Sequence, residues 1–380
     1  MYYFCMDLPR RQLPSIIRDL EKKIVFIVGP RQVGKTWIAK EITRSFKKPL
    51  YLNFDDSEQR KTIKDRVFPF DTDLVVFDEL HKMRGWKNYL KGLFDTKQEG
   101  LRILVTGSAR LNAYRRVGDS LAGRYLLHRI LPFSLAELKD TPFEGDIGRL
   151  LSRGGFPEYL IGDEITDERL RRLYMESMIN VDVLDFAAVD DVRALHTILN
   201  LLRERTGSSI SYKGIAEDVG ISPKTAKRYI GILEDLYIVF LVRPYTRKIA
   251  RAIRKEPKAY FYDVDMVIGD EGKKLENLVA LSLLKEDFYL EDTTGSERGL
   301  SYVRVKDGSE VDFVRTENRE AKLLVEVKRS ARADTRQLRY YTTRYHIPAV
   351  QVVGHTTQRE LDYGDIRIVR AVEYLQNLAI

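Results

Sequence analysis

The sequence predicts an α/β protein built in successive parts, and three observations carry that reading. Apolar, β-branched runs (IVFIVGP at 24–30, LVVFDE at 74–79, RILVTGS at 102–108) alternate with amphipathic stretches in the first third, as in a parallel sheet flanked by helices. The middle carries two short helical patterns joined by a Gly-Ile-Ser turn. In the last third, two alternating strands, EVDFV at 310–314 and LLVEVKRS at 323–330, place acids on one face and apolar residues on the other. The expected parts are a core at 1–145, a helical lid at 146–205, a helix-turn-helix unit at 206–265 and a second α/β domain at 266–380.

Bulk composition narrows the class. A chain of 380 residues, 44% hydrophobic and 32% charged, is globular and long enough for two or three cores. A net charge of +8 with a pI near 9.2 permits a polyanionic partner. The single cysteine, Cys5, leaves no internal disulfide and fits a reducing cytoplasm. MYYFCMDLPRR lacks the character of a signal peptide, and no apolar run reaches membrane-spanning length, so a cytoplasmic protein without a membrane partner is expected. The five histidines (81, 128, 196, 346, 355) are scattered and have no cysteine partners, which argues against zinc. Few Asn and Gln beside many Lys, Arg, Glu and Tyr hint at a heat-adapted source.

The run 24–30 leads into Gly29-Pro30-Arg31-Gln32-Val33-Gly34-Lys35-Thr36, and WIAKEITRSF follows as a helix. This is the G-x-x-x-x-G-K-T pattern in its strand–loop–helix setting. Its backbone N–H groups and helix N-terminus suit phosphate. Lys35 is expected on the β- and γ-phosphates, and Thr36 on Mg²⁺. In LVVFDE, Asp78 fits the residue that holds Mg²⁺ through water, and Glu79 the base that orients the attacking water. Thr106 or Ser108, at the end of the next strand, could touch the γ-phosphate or serve an ordinary turn. ATP and Mg²⁺ are the expected cofactors.

These motifs resemble those of AAA-type P-loop ATPases. With GPRQVGKT, VVFDELHKM, GSARL, LAGRYLLHRILPFSLAEL and GGFPEY, the chain is similar to a prokaryotic family common in archaea, whose C-terminal region is called domain of unknown function 4143. The resemblance spans about residues 10–370 and implies ATP hydrolysis. It also suggests that Arg124, in an expected helix after GSARL, is either an arginine finger acting across a subunit boundary of a homo-oligomer or a capping arginine. Arg171 and Arg172 are guesses for a lid arginine.

In the middle, a helix at 213–219, the turn, and a helix capped by Ser222 with Pro223 at its first position match a helix-turn-helix. Strands at 237–242 and 259–264 would form the wing of a winged helix. Residues 243–258 hold seven Lys/Arg against one acid, Glu256. Arg247, Lys248 and Arg251, joined by Lys224, Lys227 and Arg228, are the expected DNA contacts, with protein contact as the other use of such a module.

The spacing Asp312-x13-Glu326-x-Lys328 fits the restriction-endonuclease-like pattern PD-(D/E)xK, although no proline precedes Asp312. Glu276, on the helix before these strands, would add a carboxylate. Gln337 and Tyr341 show the Q-x-x-x-Y spacing of RecB-type nucleases. Asp312, Glu326 and Glu276 would hold Mg²⁺ or Mn²⁺, and Lys328 would position water or stabilise developing charge. The expectation is therefore an ATPase acting on DNA, branched or broken, with a nuclease-like C-terminal domain. The alternative is an ATP-switched DNA- or protein-binding regulator with a silent nuclease fold.

Overall fold

A computed structural model describes residues 8–107, 121–162, 189–246, 256–304, 310–330, 335–355, 360–362 and 364–380. Ser108, Arg171, Arg172, Arg247, Lys248 and Arg251 lie outside the described residues. The chain divides into two compact units, 9–131 and 132–380.

In the first unit, β1 (Ile24–Val28), β2 (Pro49–Asn53), β3 (Leu74–Asp78), β4 (Arg102–Thr106) and β5 (Tyr125–Arg129) form one parallel sheet, ordered β2-β3-β4-β1-β5. β1 and β3 are buried along their whole length, as expected of strands covered on both faces. Helices α1 (Leu13–Leu20), α2 (Lys35–Thr43), α3 (Ser57–Asp65) and α4 (Trp86–Thr96) connect or flank them. One core cluster gathers Phe26 and Val28 with Leu52, Phe77, Trp86, Leu90 and Val105. Asp56 caps α3 by accepting from Glu58 N and Gln59 N.

The second unit begins earlier than the expected boundary at 145. Residues 132–145 are tied into it because Phe133 N donates to the Gly155 carbonyl at 2.7 Å, and Ser134 Oγ to the Ile380 carbonyl at 3.0 Å. Short helices α5 (Ile147–Arg153) and α6 (Pro157–Ile161) precede α7 (Val192–Glu204), α8 (Tyr212–Val219) and α9 (Pro223–Asp235). Ser222 Oγ accepts from Thr225 N at 3.1 Å, with Pro223 opening α9.

The hairpin of β6 (Val239–Pro244) and β7 (Lys258–Phe261) is not a free-standing wing. Arg243 and Pro244 pair with Ser301 and Tyr302 of β8 (Arg298–Arg304), so the hairpin extends a larger sheet. That sheet runs β12-β13-β11-β10-β9-β8-β6-β7, with β9 (Glu310–Glu317), β10 (Glu320–Ser330), β11 (Ala349–His355), β12 (Glu360–Asp362) and β13 (Ile366–Arg370). β8, β9 and β10 form an antiparallel meander, while β10, β11 and β13 run parallel. Helices α10 (Glu271–Thr294), α11 (Arg336–Tyr345) and α12 (Ala371–Gln376) complete the unit. No helix among the described residues is long and apolar enough to cross a membrane.

Candidate functional site

Residues 29–34 bridge β1 and α2 at the C-terminal edge of the parallel sheet. Gly29 is required there, because a Cβ would collide with the Ile130 carbonyl oxygen. Gly34, at φ 97°, turns the chain into α2 in a conformation that side chains rarely adopt. Pro30 and Val33 are buried, Arg31 is half-buried and Gln32 is exposed at φ 57°. The Lys35 ammonium donates to the carbonyls of Gly29, at 3.0 Å, and Pro30. Arg10, which the sequence reading did not single out, straps the loop from below. It is 3% exposed, and its guanidinium donates to Val33 O at 2.7 Å and Leu131 O at 2.9 Å.

Asp78 closes β3 beside this loop and accepts three hydroxyls. Thr36 Oγ1 donates to Oδ2 at 3.1 Å, Tyr51 OH donates to Oδ2, and Thr106 Oγ1 to Oδ1. Register explains the convergence, since Asp78 lies level with Asn53 on β2 and with Thr106 on β4. Burial, then the bond to Asp78, raises the Tyr51 phenol well above its ordinary pKa, so it stays a donor. A hydroxyl and a carboxylate already in contact are an oxygen donor set suited to Mg²⁺, and Thr36 and Asp78 fit that ion. Tyr51 carries no sequence signal of this role, because its link to Asp78 arises only from the pairing of β2 with β3.

Glu79 takes φ 56° where β3 ends, and its N–H bonds the Thr106 carbonyl at 3.2 Å. A non-glycine residue in this conformation is strained and persists only where its surroundings fix it. Burial raises its pKa, opposed chiefly by Lys82, whose ammonium is 3.4 Å from Oε2. That is a fitting environment for a base.

Arg124 is not on a helix. Gly123 turns at φ 74°, and Arg124 stands directly before β5, where its carbonyl accepts from Ile24 N at 3.0 Å. That is the N-terminal edge of the sheet, five residues or about 16 Å of strand from the phosphate loop. Its guanidinium is bidentate on Asp95, at 2.9 and 3.2 Å. The structure does not bring it to the nucleotide loop of its own chain.

On α9, Lys224, Lys227 and Arg228 are exposed. Arg228 donates to Asp190 at 2.8 Å, and Lys227 lies 5.9 Å from the Tyr212 ring.

The carboxylates of the second unit converge, but around a residue the sequence reading had assigned to a basic surface. Lys258, 3% exposed on β7, reaches Glu310 directly and Glu276 at 3.8 Å. Two residues along β7, Tyr260 OH donates to Glu276 at 2.7 Å. Burial works against the Lys258 ammonium, yet Glu276, Asp312 and Glu310 outweigh it and hold its pKa above the ordinary value. On β9, Asp312 accepts from Val327 N at 2.8 Å. Burial and the neighbouring Glu276 push its pKa up to about 7. Glu326 and Lys328 do stand side by side at 2.9 Å, and Gln351 Nε2 donates to the other Glu326 oxygen at 3.0 Å.

The expected three-carboxylate metal set is therefore not formed. Among the described residues no group of three such acids could hold an ion. Glu276 is taken by Tyr260 and Lys258, and Glu326 by Lys328 and Gln351, so the cluster is balanced by ammonium groups. Tyr341 is buried in the core with Val311 and Leu338, while Gln337 is exposed.

Comparison with known proteins matches residues 21–139 to an AAA domain, 144–268 to a domain of unknown function (DUF8612) and 271–374 to a domain of unknown function (DUF4143). The uncharacterized protein MJ1544 of Methanocaldococcus jannaschii is 27% identical over 340 residues, covering 79% of this chain and 74% of its own. The uncharacterized protein Rv2008c of Mycobacterium tuberculosis is 23% identical over 320 residues, covering 81% and 71%. Among solved structures, the Walker-type ATPase PABY2304 of Pyrococcus abyssi aligns at 15% identity with a TM-score of 0.44, over 68% of this chain and 94% of that one. The RuvB Holliday junction branch migration motor of Thermotoga maritima aligns at 16% identity with a TM-score of 0.33, over 65% and 93%. The chain thus carries an AAA-type P-loop ATPase domain followed by a C-terminal DUF4143 domain.

Proposed function

We propose that the chain hydrolyses ATP and uses the turnover to control binding to DNA through its second unit. The observation that carries the ATPase reading is Asp78 held by Thr36 and Thr106 beside the Gly29–Lys35 loop, with Glu79 next in sequence. Lys35 would exchange its loop carbonyls for the β- and γ-phosphates. Thr36 and Asp78 would hold Mg²⁺, which neutralises charge on the phosphates. Glu79 accepts the proton of an attacking water, and Thr106 keeps the Asp78 carboxylate turned toward Thr36. Lys35→Ala abolishes ATP binding in this reading. Glu79→Gln retains binding and lowers turnover by about 10²–10⁴-fold, the usual worth of a positioned base. Normal turnover by Glu79→Gln removes Glu79 from that role.

For the second unit we favour a restriction-endonuclease-like fold used for binding, because two ammonium groups already balance its carboxylates. Cleavage is the second reading, supported by Asp312, Glu326 and Lys328 meeting on neighbouring strands. Incubation with linear, single-stranded and branched DNA, in Mg²⁺ or Mn²⁺ and with or without ATP, separates the two. Cutting that Asp312→Ala abolishes establishes the second.

A further inference from the structure

Helix α11 reads RQLRYYTTRY, with three arginines, three tyrosines and no acid. Leu338, Tyr341 and Thr342 form its buried side, where Leu338 and Tyr341 pack with Val311, Val314 and Ile366. The opposite side carries Arg336, Arg339, Tyr340 and Arg344, all exposed, and Tyr345, seven residues after Leu338, is exposed where the buried stripe runs out at the helix end. Tyr340 and Tyr345 are 46% and 53% exposed, on positions where a solvated helix face normally has Lys or Glu.

The rings are arranged. Tyr340 meets Tyr341 edge-on at 5.2 Å, and Tyr345 stacks on Tyr341 at 5.9 Å. The Arg344 guanidinium lies 5.8 Å from both exposed rings. Among the described residues no carboxylate pairs with Arg339 or Arg344.

We propose that the two exposed tyrosines around Arg344, with the neighbouring arginines of α11, form a stacking platform for single-stranded nucleic acid. Exposed rings offer π-faces that any base can use, and arginines among them meet the phosphates. A duplex keeps its bases stacked on each other and cannot use the tyrosines. An acidic peptide would satisfy the arginines and leave the rings without a role. The inference rests on the DNA-binding reading and names its partner, but depends neither on ATP turnover nor on the carboxylate cluster.

Fluorescence anisotropy of the full chain with labelled oligothymidylate and with a duplex tests it. Tyr340→Ala and Tyr345→Ala each weaken single-strand binding by about 5- to 150-fold, the range of one base stack. They leave duplex affinity and basal ATPase unchanged, while Tyr340→Phe and Tyr345→Phe bind like the wild type. Arg339→Ala with Arg344→Ala lowers the log–log salt slope by about 1.4, at about 0.7 per phosphate of a single strand. Wild-type single-strand affinity in the alanine variants, an equal loss on duplex, or tighter binding of polyglutamate than of oligothymidylate overturns the platform. A wild type that binds no DNA even at low salt overturns the DNA reading itself.

Discussion

Replacing Lys258 by Met removes the buried charge that faces Glu276, Glu310 and Asp312 together, leaving only the more exposed Lys328 and Arg304 beside them. The side chain is 3% exposed, whereas those of Glu276 and Glu310 are each 24% exposed. Removing one partner of a buried pair costs about 3–5 kcal/mol, and the partial exposure of both carboxylates places this change at the lower end, about 3 kcal/mol. For a unit of this size that corresponds to about 6–12 °C in melting temperature, at about 2–4 °C per kcal/mol. Because the loss is the repulsion left among Glu276, Glu310 and Asp312, Glu310→Gln on the Lys258→Met background recovers part of it. A divalent cation recovers it too. Mn²⁺ at a hundredfold its dissociation constant adds about 2.7 kcal/mol. Nucleotide-free protein is melted with and without Mn²⁺, and ion binding is followed directly by the Mn²⁺ paramagnetic resonance signal. The expected pattern is a wild type indifferent to Mn²⁺ and a Lys258→Met variant that binds one ion and is restabilised by it. If the wild type binds Mn²⁺ and Asp312→Asn abolishes that binding, the ion shares the cluster with Lys258 and the reasoning fails.

Three further outcomes follow from the geometry. Asp312 has a folded pKa of about 7 against an ordinary value of 3.8. It therefore binds its proton more tightly when folded, and its contribution is full below about pH 4 and lost as pH rises to about 7; urea titrations should show this slope, and Asp312→Asn should flatten it. Thr106→Val leaves a buried Asp78 oxygen short of a donor, costing about 1–3 kcal/mol, and a thermal melt together with a raised Mg²⁺ requirement for ATPase would register it; an unchanged Mg²⁺ titration would count against the Thr106–Asp78 bond. Arg124→Ala, which removes only an exposed pair with Asp95, keeps turnover near the wild-type rate. Loss of ATPase that returns on mixing with Glu79→Gln would instead reinstate a finger acting between subunits.

What could be read in advance, and what could not, follows from the range of the interactions. The phosphate loop is a local object. A strand, two glycines in special conformations and a helix start lie within about a dozen residues, so Lys35 and Thr36 are legible from their order, whereas Asp78 reaches Thr36 from 42 residues away. Glu326 beside Lys328 is equally local, two residues apart on one strand. Tyr51 and Arg10 were not legible, because their partners arrive through strand register and chain return. Arg124 follows GSARL in sequence as a helix residue would, yet it stands directly before a strand. Only the parallel pairing of YLLHR with IVFIV, about 100 residues apart, makes that stretch a strand. Lys258 shows the limit most clearly. In the sequence it belongs to a run of seven cations, and a run of like charges reads as one solvated surface. The strand's burial cuts across that reading, because β7 is buried along its whole length and carries Lys258 into the sheet. A charge on a buried strand must find its counter-charge inside the fold. Glu310, with Glu276 and Asp312 of the expected metal site, is the counter-charge it finds. Glu276 and Asp312, which point to a bound cation in sequence, thus have a cation within the chain, and only the fold reveals it.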